Sequence, residues 1–196
     1  MRIIAGTARG RTLVAPKGTD TRPTLDRVRE SLFSILMPNL PDARVLDLFA
    51  GSGALGLEAL SRGAATAVLV DSGRAAQAAV QRNIEITRME GVARLLREDW
   101  QAALRRLDRE GARFDIVFLD PPYRMAQAGA MLAALRDSGM LASGGIVLYE
   151  HAWETPPTTD GWTVSDVRRY GDTGIHFLCG PIRGGNDANG SVSGQL

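Results

Sequence analysis

Cysteine, histidine and long apolar runs are scarce in this sequence, and each scarcity excludes a class of protein. The 196 residues contain one cysteine, Cys179, which excludes an internal disulfide framework and a cysteine-rich zinc site. The two histidines stand apart from any cluster of carboxylates, so we predict no metal site. No apolar run reaches the ~18 residues of a membrane helix, and the N-terminus lacks the apolar stretch of a secretory signal. We therefore expect a cytoplasmic protein.

Lysine is nearly absent, and the positive charge of the chain is unevenly distributed, with an excess at the N-terminus. Lys17 is the only lysine, so arginine supplies almost all of the positive charge. The formal net charge is only +1, yet the first 30 residues contain seven basic and three acidic side chains. A basic end on a balanced protein is typical of a phosphate-bearing partner such as a nucleic acid. A general preference for arginine would give the same count, and charge alone does not separate the two interpretations.

Apolar segments from residue 44 onward alternate between the period of a strand and that of a helix. This alternation predicts an α/β fold with parallel strands joined by right-handed crossovers, closed by an antiparallel hairpin around Gly171. We expect a basic arm with a small hairpin over residues 1–23, a main domain over 24–181 that opens with a helix over 24–37, and a flexible tail over 182–196. The predicted strands are 45–49, 67–70, 93–96, 114–119, 145–149, 162–169 and 175–178, and the further predicted helices are 55–62, 74–86, 101–109 and 126–136.

A glycine turn follows the first predicted strand. Gly51, Gly53 and Gly56 have the spacing Gly-x-Gly-x-x-Gly, in which glycine permits a positive φ and a close approach of a ligand to the backbone. This spacing is typical of dinucleotide sites, and an empty turn between a strand and a helix would also produce it. Asp47, inside the strand, favours S-adenosylmethionine over NAD, because a carboxylate suits a cationic ligand and a pyrophosphate has no need of one.

Three later residues extend this candidate cofactor site. Asp71 ends the second predicted strand, where a carboxylate can accept hydrogen bonds from both ribose hydroxyls of either cofactor. Asp99 follows the third strand, where it can bind an adenine amino group, and the ring of Trp100 can pack on the adenine. The alternative for this last pair is a helix N-cap followed by a core tryptophan.

The tetrapeptide Asp120-Pro121-Pro122-Tyr123 is the most specific signal in the chain. It follows a strongly apolar strand, and open α/β sheets bind ligands at the carboxyl ends of their strands. Two prolines fix the backbone and remove donors, so the Asp120 carboxylate and the Pro121 carbonyl present two rigid acceptors to the two hydrogens of an exocyclic amine. Tyr123 offers a face on which a flipped base can stack. The pattern predicts methylation of such an amine, because the two acceptors direct its lone pair at an activated methyl group.

Residues 47–53 and 120–123 together resemble the class I methyltransferases that modify exocyclic amines. The N-terminus narrows the choice, because it resembles that of the bacterial RsmD-type 16S rRNA (guanine(966)-N(2))-methyltransferases in residues 2–6, 9–11 and 21–33. The loop Asp-Leu-Phe-Ala-Gly-Ser-Gly and a late Tyr-Gly-Asp-Thr segment also agree with this family, and the resemblance runs over residues 1–180. Asp71 stands where many members have glutamate, and both side chains accept hydrogen bonds.

The resemblance implies a Rossmann-like class I methyltransferase, with a mostly parallel seven-stranded sheet and helices on both faces. It implies that a monomer transfers a methyl group from S-adenosyl-L-methionine to N2 of guanine 966 in 16S rRNA, within the small ribosomal subunit or an assembly intermediate. The implied cofactor residues are Asp47, Phe49, Ala50, Gly51, Ser52, Gly53, Asp71, Asp99 and Trp100, and the implied catalytic residues are Asp120, Pro121, Pro122 and Tyr123. The implied rRNA contacts are Arg2, Arg9, Arg11 and Lys17 on phosphates, with Arg22, Thr24 and Arg27 near the base pocket.

Three alternative functions stay open on the sequence. A DNA adenine or cytosine amino-methyltransferase would use the same chemistry, although such enzymes usually carry a recognition region for which this chain has little room. A non-catalytic RNA-binding assembly factor would keep the glycine turn but has no need of the two rigid acceptors. A nicotinamide dehydrogenase would bind NAD instead of S-adenosylmethionine. His151, after the fifth strand, is a further candidate to border the pocket.

Overall fold

Seven strands form one sheet in the computed structural model, which describes residues 1–16, 23–122 and 128–180. The strands are β1 (Arg44–Asp47), β2 (Thr66–Val70), β3 (Ala93–Leu96), β4 (Phe114–Leu119), β5 (Leu141–Ala152), β6 (Thr163–Tyr170) and β7 (Thr173–Cys179). Their order across the sheet is β3-β2-β1-β4-β5-β7-β6. The first five run parallel, and β7 pairs antiparallel with both β5 and β6. The predicted mostly parallel sheet with a terminal hairpin is confirmed.

Helices cover both faces of this sheet. They are α1 (Pro23–Leu36), α2 (Ala54–Ser61), α3 (Arg74–Thr87), α4 (Trp100–Arg109) and α5 (Ala128–Ser138). Successive strand residues point to opposite faces, so the core divides into two clusters. Val45 and Phe118 pack with α1, α2 and α3, whereas Leu46 and Val117 pack with α4 and α5. The buried strands are therefore apolar on both faces, as parallel strands between helical layers must be.

Local sequence signals set where several helices begin and end. α1 begins at Pro23, whose fixed φ suits the first helical turn and whose missing N–H would have had no partner there. α3 ends at Thr87 and is capped by Arg88, which adopts a left-handed φ of 59°. α4 begins after Asp99, whose carboxylate accepts the N–H of Ala102 at 2.8 Å.

Residues 1–16 form an arm that is closed by a single β-bridge, between Arg2 and Thr12. The predicted hairpin is thus present as a tight loop without regular strands, because its turn contains Gly6 and Gly10 at φ values of 81° and 82°. Three apolar residues of the arm, Ile3, Ala8 and Leu13, are buried in the same cluster as residues of α1 and α2. The arm is therefore packed into the domain on which it lies.

Buried polar side chains of α2 and α3 hold the arm backbone. Glu58 accepts the N–H groups of Ile4 and Ala5 at 2.7 and 3.0 Å. Asn83 Oδ1 accepts the N–H of Val14 at 2.7 Å, and the Asn83 amide donates back to the Val14 carbonyl at 2.8 Å. These bonds satisfy backbone groups that a short, strandless segment could not satisfy by itself.

Predicted and observed bounds agree to within two residues for the helices and for every strand except β5. We predicted 145–149 for β5, but it begins at Leu141, which pairs with Phe114, and it continues to Ala152 along β7. Gly144 and Gly145 concealed the first part, since glycine is a poor strand former. The predicted boundaries at 23 and 181 stay predictions, and the predicted tail lies outside the described residues. In the described ranges, no helix is long and apolar enough to cross a membrane.

Candidate active site

The candidate site lies at the carboxyl ends of β1 and β4. β1 has β2 on one side and β4 on the other, so the chain order reverses between these neighbouring strands. Such a switch point leaves a crevice, and open α/β sheets bind their ligands there. Asp47 is the last residue of β1 and Asp120 directly follows β4. The structure thus brings together the two acids that the sequence placed in separate motifs.

The glycines of the turn between β1 and α2, and of the first turn of α2, have two different functions. Gly51 and Gly53 have φ values of 56° and 78°, in the left-handed region that favours glycine. Gly56, in α2, lies against β2, where a Cβ would stand 2.2 Å from Leu69 Cδ2, so a larger residue would require the buried Leu69 side chain to move. The turn places the N-terminus of α2 beside the crevice.

Asp47 has a buried carboxylate whose hydrogen-bonding capacity the described residues do not fill. Its side chain is 1% exposed, and among the described residues its Oδ1 has no hydrogen-bond partner. Its Oδ2 accepts the N–H of Gly56 at 3.3 Å. Burial, followed by repulsion from Asp120, raises the pKa of Asp47 to about 7, against the opposing effect of the Gly56 and Phe49 backbone N–H groups. A cation in the crevice would relieve this penalty, so the geometry indicates a positively charged ligand.

Asp120 begins the rigid segment after β4. Burial raises the pKa of Asp120 to about 6. Pro121 is buried and Pro122 is exposed, and neither offers an N–H that would compete for the acceptors. The phenol of Tyr149, on the neighbouring strand, is affected by the same carboxylate, because burial and then Asp120 raise the pKa of Tyr149 to about 12. Tyr123 lies outside the described residues, so its stacking role stays a prediction.

A cavity of about 240 Å³ opens between the sheet edge, α1 and the arm. Its wall includes six of the predicted residues, Asp47, Phe49, Ala50, Gly51, Ser52 and Asp120. It also includes nine residues to which we had assigned no site role, namely Met1, Ala15, Pro16, Val28, Arg29, Leu32, Ala54, Leu55 and Glu150. The arm and the first helix therefore help to build the pocket, beyond the rRNA contacts predicted for them.

Two charged residues of this wall could have been found from their spacing. Arg29 is only 4% exposed, and its Nη2 donates to the Arg2 carbonyl and to Asp26, the latter at 3.1 Å. Arg29 stands three residues before Leu32, on the buried face of α1, and this helical spacing is the signal of a buried cation. Glu150 follows an apolar strand run, as Asp120 does, which is the same positional signal.

Asp71 holds the glycine turn in place. Its Oδ2 accepts the N–H of Gly51 at 2.9 Å, and its Oδ1 accepts the N–H of Gly73 at 2.8 Å. A carboxylate offers about four lone-pair directions, so capacity for ribose hydroxyls is left over. The predicted ribose contact stays a prediction, and the structure adds a role in fixing the loop.

Asp99 and Trp100 are a helix N-cap and a core tryptophan, which is the alternative that the sequence left open for this pair. Asp99 caps α4, and the ring of Trp100 is 7% exposed within the core cluster that also contains Leu104 and Leu107. Neither residue lines the cavity shared by Asp47 and Asp120. Their adenine contacts therefore stay predictions, and both side chains have a structural function without a ligand.

The basic residues of the N-terminus fall into different environments. Arg2, Arg9 and Arg27 are exposed and accessible to a phosphate. Arg11 is half-buried, and its guanidinium donates to the carbonyl of Ile86 in the last turn of α3. Lys17, Arg22 and the side chain of Thr24 lie outside what the structure describes. Their predicted rRNA contacts stay predictions.

The two histidines contact one another across β5 and β7. His151 Nδ1 donates to the Ala152 carbonyl at 2.7 Å, and His151 Nε2 shares a hydrogen bond of 2.8 Å with His176 Nδ1. Burial, with a contribution from His151, lowers the pKa of His176. His151 is not among the residues that line the cavity, and its place at the border of the pocket stays a prediction. Among the described residues, no group of three or more metal-binding side chains could hold a metal ion.

Comparison with known proteins places these features in context. A family model described as "Conserved hypothetical protein 95" matches residues 1–179. Ribosomal RNA small subunit methyltransferase D of Escherichia coli (strain K12) is 38% identical over 191 residues, which cover 96% of this chain and 94% of that protein. A candidate rRNA methyltransferase of Bacillus subtilis (strain 168) is 38% identical over 177 residues, covering 89% and 96%. The solved structure of a candidate methyltransferase from Escherichia coli has a TM-score of 0.82 at 38% identity and covers 93% of this chain and 99% of its own.

A sheet of this order, with a glycine turn after β1 and Asp-Pro-Pro after β4, defines a Rossmann-like methyltransferase. The chain belongs to the Conserved hypothetical protein 95 family, which is the RsmD-type family that its sequence resembles. The predicted family, fold class and enzyme class are confirmed.

Proposed function

We propose that this enzyme transfers a methyl group from S-adenosylmethionine to N2 of a guanine in 16S rRNA, namely guanine 966. One observation carries the proposal: the carboxylate of Asp120, which begins the Asp-Pro-Pro segment, lines the same cavity as the carboxylate of Asp47, whose Oδ1 has no hydrogen-bond partner among the described residues. An exocyclic amine needs the first feature, and a cationic methyl donor needs the second. The names of relatives that are 38% identical, which describe rRNA methyltransferases, support the choice of RNA over DNA.

The residues present fit S-adenosylmethionine. Asp47 Oδ1 is a buried acceptor without a partner in the described chain, and it would lie next to the cationic part of the cofactor. The glycine turn, fixed by Asp71, allows close approach to the backbone, and Asp71 retains lone pairs for the ribose. When bound, the cofactor supplies a methyl group already activated by its positively charged sulfur. Positioning of the acceptor amine is then the main task left to the protein.

Asp120 and Pro121 would orient that amine. The lone pair of a base amine is delocalised into the ring, so the amine is a poor nucleophile. Hydrogen bonds from its two N–H groups to the Asp120 carboxylate and the Pro121 carbonyl favour a pyramidal nitrogen with its lone pair directed at the methyl group. Burial raises the pKa of Asp120, which makes its carboxylate a better acceptor for the proton that leaves N2.

The exposed arginines of the arm and of α1 provide the RNA-facing surface of this proposal. Arg2 and Arg9 would contact phosphates, and Arg27 would lie nearer the base. We propose that the enzyme acts in the cytoplasm as a monomer. Its substrate would be the small ribosomal subunit or an assembly intermediate, where folded rRNA presents the target guanine.

The test is transfer of a labelled methyl group from S-adenosylmethionine to small-subunit particles that lack the modification. Naked rRNA and duplex DNA serve as parallel acceptors, and the labelled nucleic acid is digested to nucleosides. We expect label in N2-methylguanosine, with Asp120→Asn as an inactive control that still binds the cofactor in calorimetry. Label in N6-methyladenosine or in DNA would contradict the proposed substrate. Cofactor binding without methyl transfer to any acceptor would favour the alternative function of a non-catalytic RNA-binding assembly factor.

A further inference from the structure

Glu150 stands beside Asp120 at the carboxyl edge of the sheet. Leu119 and Tyr149 are register partners in the parallel pair β4 and β5, so Asp120 and Glu150 each follow by one residue on adjacent strands. Both acids line the main cavity. Both also line a smaller adjacent cavity, together with Leu32 and Leu55. Glu150 is therefore the third carboxylate of the main cavity, after Asp47 and Asp120, and the mechanism above gives it no function.

The alternation of side chains along β5 determines the face of the sheet on which Glu150 lies. Along β5, Leu148 belongs to the core cluster of α1, and Tyr149 belongs to the opposite cluster of α4 and α5. Strand residues alternate between faces, so Glu150 returns to the α1 side. The residues of the smaller cavity agree, because Leu148 and Ile175 line it with Glu150. Glu150 thus lies on the α1 side of the sheet, where the cavity opens.

The hydrogen-bonding edges of the bases differ at the atom next to the reactive amine. In guanine, the amine N2 is adjacent to N1–H, so this edge presents three hydrogens in a row. In adenine and cytosine, the amine is adjacent to a ring nitrogen that carries a lone pair and no hydrogen. A carboxylate beside the amine site would accept the N1–H of guanine, whereas it would face a lone pair in the other two bases. Two neighbouring carboxylates therefore favour guanine.

We propose that Glu150 is a specificity-determining residue, which accepts the N1–H of the target guanine while Asp120 accepts a hydrogen of N2. This inference rests on the proposed function and adds to it the reason for guanine. It does not require Glu150 to lack protein partners, because a carboxylate has about four lone-pair directions. Enzymes that read a flipped base do so through this same edge.

The experiment compares guanine with 2-aminopurine at the nucleotide that the labelled-methyl assay identifies, in reconstituted small-subunit particles. 2-Aminopurine keeps the reactive 2-amine but has a lone pair at N1 and lacks O6. Wild-type enzyme and Glu150→Gln are assayed on both substrates, since glutamine can donate to that lone pair. Glu154→Gln is the matched control, because it removes the same charge from an exposed position four residues away. Cofactor affinity and thermal unfolding are measured for each variant.

We expect the wild-type enzyme and Glu154→Gln to prefer guanine by at least about tenfold in kcat/KM, and Glu150→Gln to reduce that preference to about threefold or less. Only the difference between variants is attributed to Glu150, since loss of O6 affects them alike. Transfer to guanine with an unchanged preference in Glu150→Gln would overturn this inference and leave the proposed function intact. Absence of wild-type transfer to guanine would overturn the proposed function, and the inference with it.

Discussion

Asp47 should destabilise the ligand-free protein at neutral pH, and Asp47→Asn should therefore be more stable than the wild type. The pKa of Asp47 is about 7 in the folded protein, whereas in the unfolded chain it returns to its ordinary value of 3.8. The folded state thus binds more protons between these values, and its stability falls as pH rises through this window. The penalty is fully present above about pH 7 and absent below about pH 4.

The magnitude follows from the same two pKa values. At ~1.4 kcal/mol for each pH unit between them, the penalty approaches about 4 kcal/mol at pH 8 and is about 2 kcal/mol at pH 5. Asparagine at position 47 has no charge, so its contribution to stability does not depend on pH in this way. One end of its amide would stand where Asp47 Oδ1 lacks a hydrogen-bond partner among the described residues, and burying that unpaired group would cost about 1–3 kcal/mol at every pH. The free energy of unfolding of Asp47→Asn relative to the wild type should therefore rise by about 2–3 kcal/mol between pH 5 and pH 8.

Urea unfolding without cofactor, at pH 5, 6.5 and 8, measures this difference, provided that the dependence on urea concentration is the same for both proteins. Asp108→Asn, at an exposed position of α4, is the matched control and should show no comparable trend. The same Asp47→Asn variant should bind S-adenosylmethionine more weakly, because it no longer offers a charge to the cation. A stability difference that is constant across pH would refute the burial argument for Asp47.

Three further predictions concern the acceptor, the arm and its attachment. Asp120→Ala should abolish methyl transfer while cofactor affinity in calorimetry changes little, and normal turnover would contradict the orienting role. Arg9→Ala should reduce the slope of log K against log salt for rRNA binding by about 1, whereas Arg105→Ala, on the exposed face of α4, should leave it unchanged; equal slopes for both would mean that the arm does not contact phosphates. Glu58→Gln should lower the free energy of unfolding by about 3–5 kcal/mol, because it leaves the buried Arg62 guanidinium, which lies 2.7 Å from Glu58, without its counter-charge. Urea unfolding measures this loss, and a loss below about 1 kcal/mol, as expected for an exposed carboxylate, would contradict the prediction.

The sequence predicted the elements that repeat a period and the residues that punctuate them. The alternation of strands and helices, the turn at Gly51 and Gly53, and the acids at the ends of β1 and β4 are local signals, so each was visible in a short window. The resemblance then added the family. β5 was underestimated because its first residues are held by pairing with Phe114, which no local preference reveals.

Contacts distant in sequence were the part that could not be predicted. Glu58 accepts backbone donors more than 50 residues away, and nothing around it in α2 distinguishes a buried carboxylate from a solvated one. Arg29 and Glu150 enter the cavity because α1 and β5 converge there, although their spacing contained a signal that could have been used. Asp99 is the opposite case. Its N-cap hydrogen bond to Ala102 is a local feature that the sequence offered as an alternative, whereas its adenine contact stays a prediction.

The amide of Asn83 connects the N-terminal arm, for which we propose contacts with rRNA, to the glycine turn, for which we propose contacts with the methyl donor. Its nitrogen donates at 2.8 Å both to the Val14 carbonyl in the arm and to the Ser52 carbonyl in the glycine turn. If bound rRNA displaces the arm, the turn is displaced with it, and the affinity for the methyl donor changes. Linkage then requires that the donor change the affinity for rRNA by the same factor. Asn83 therefore makes the affinities for the two substrates depend on one another, and a coupling free energy measures that dependence.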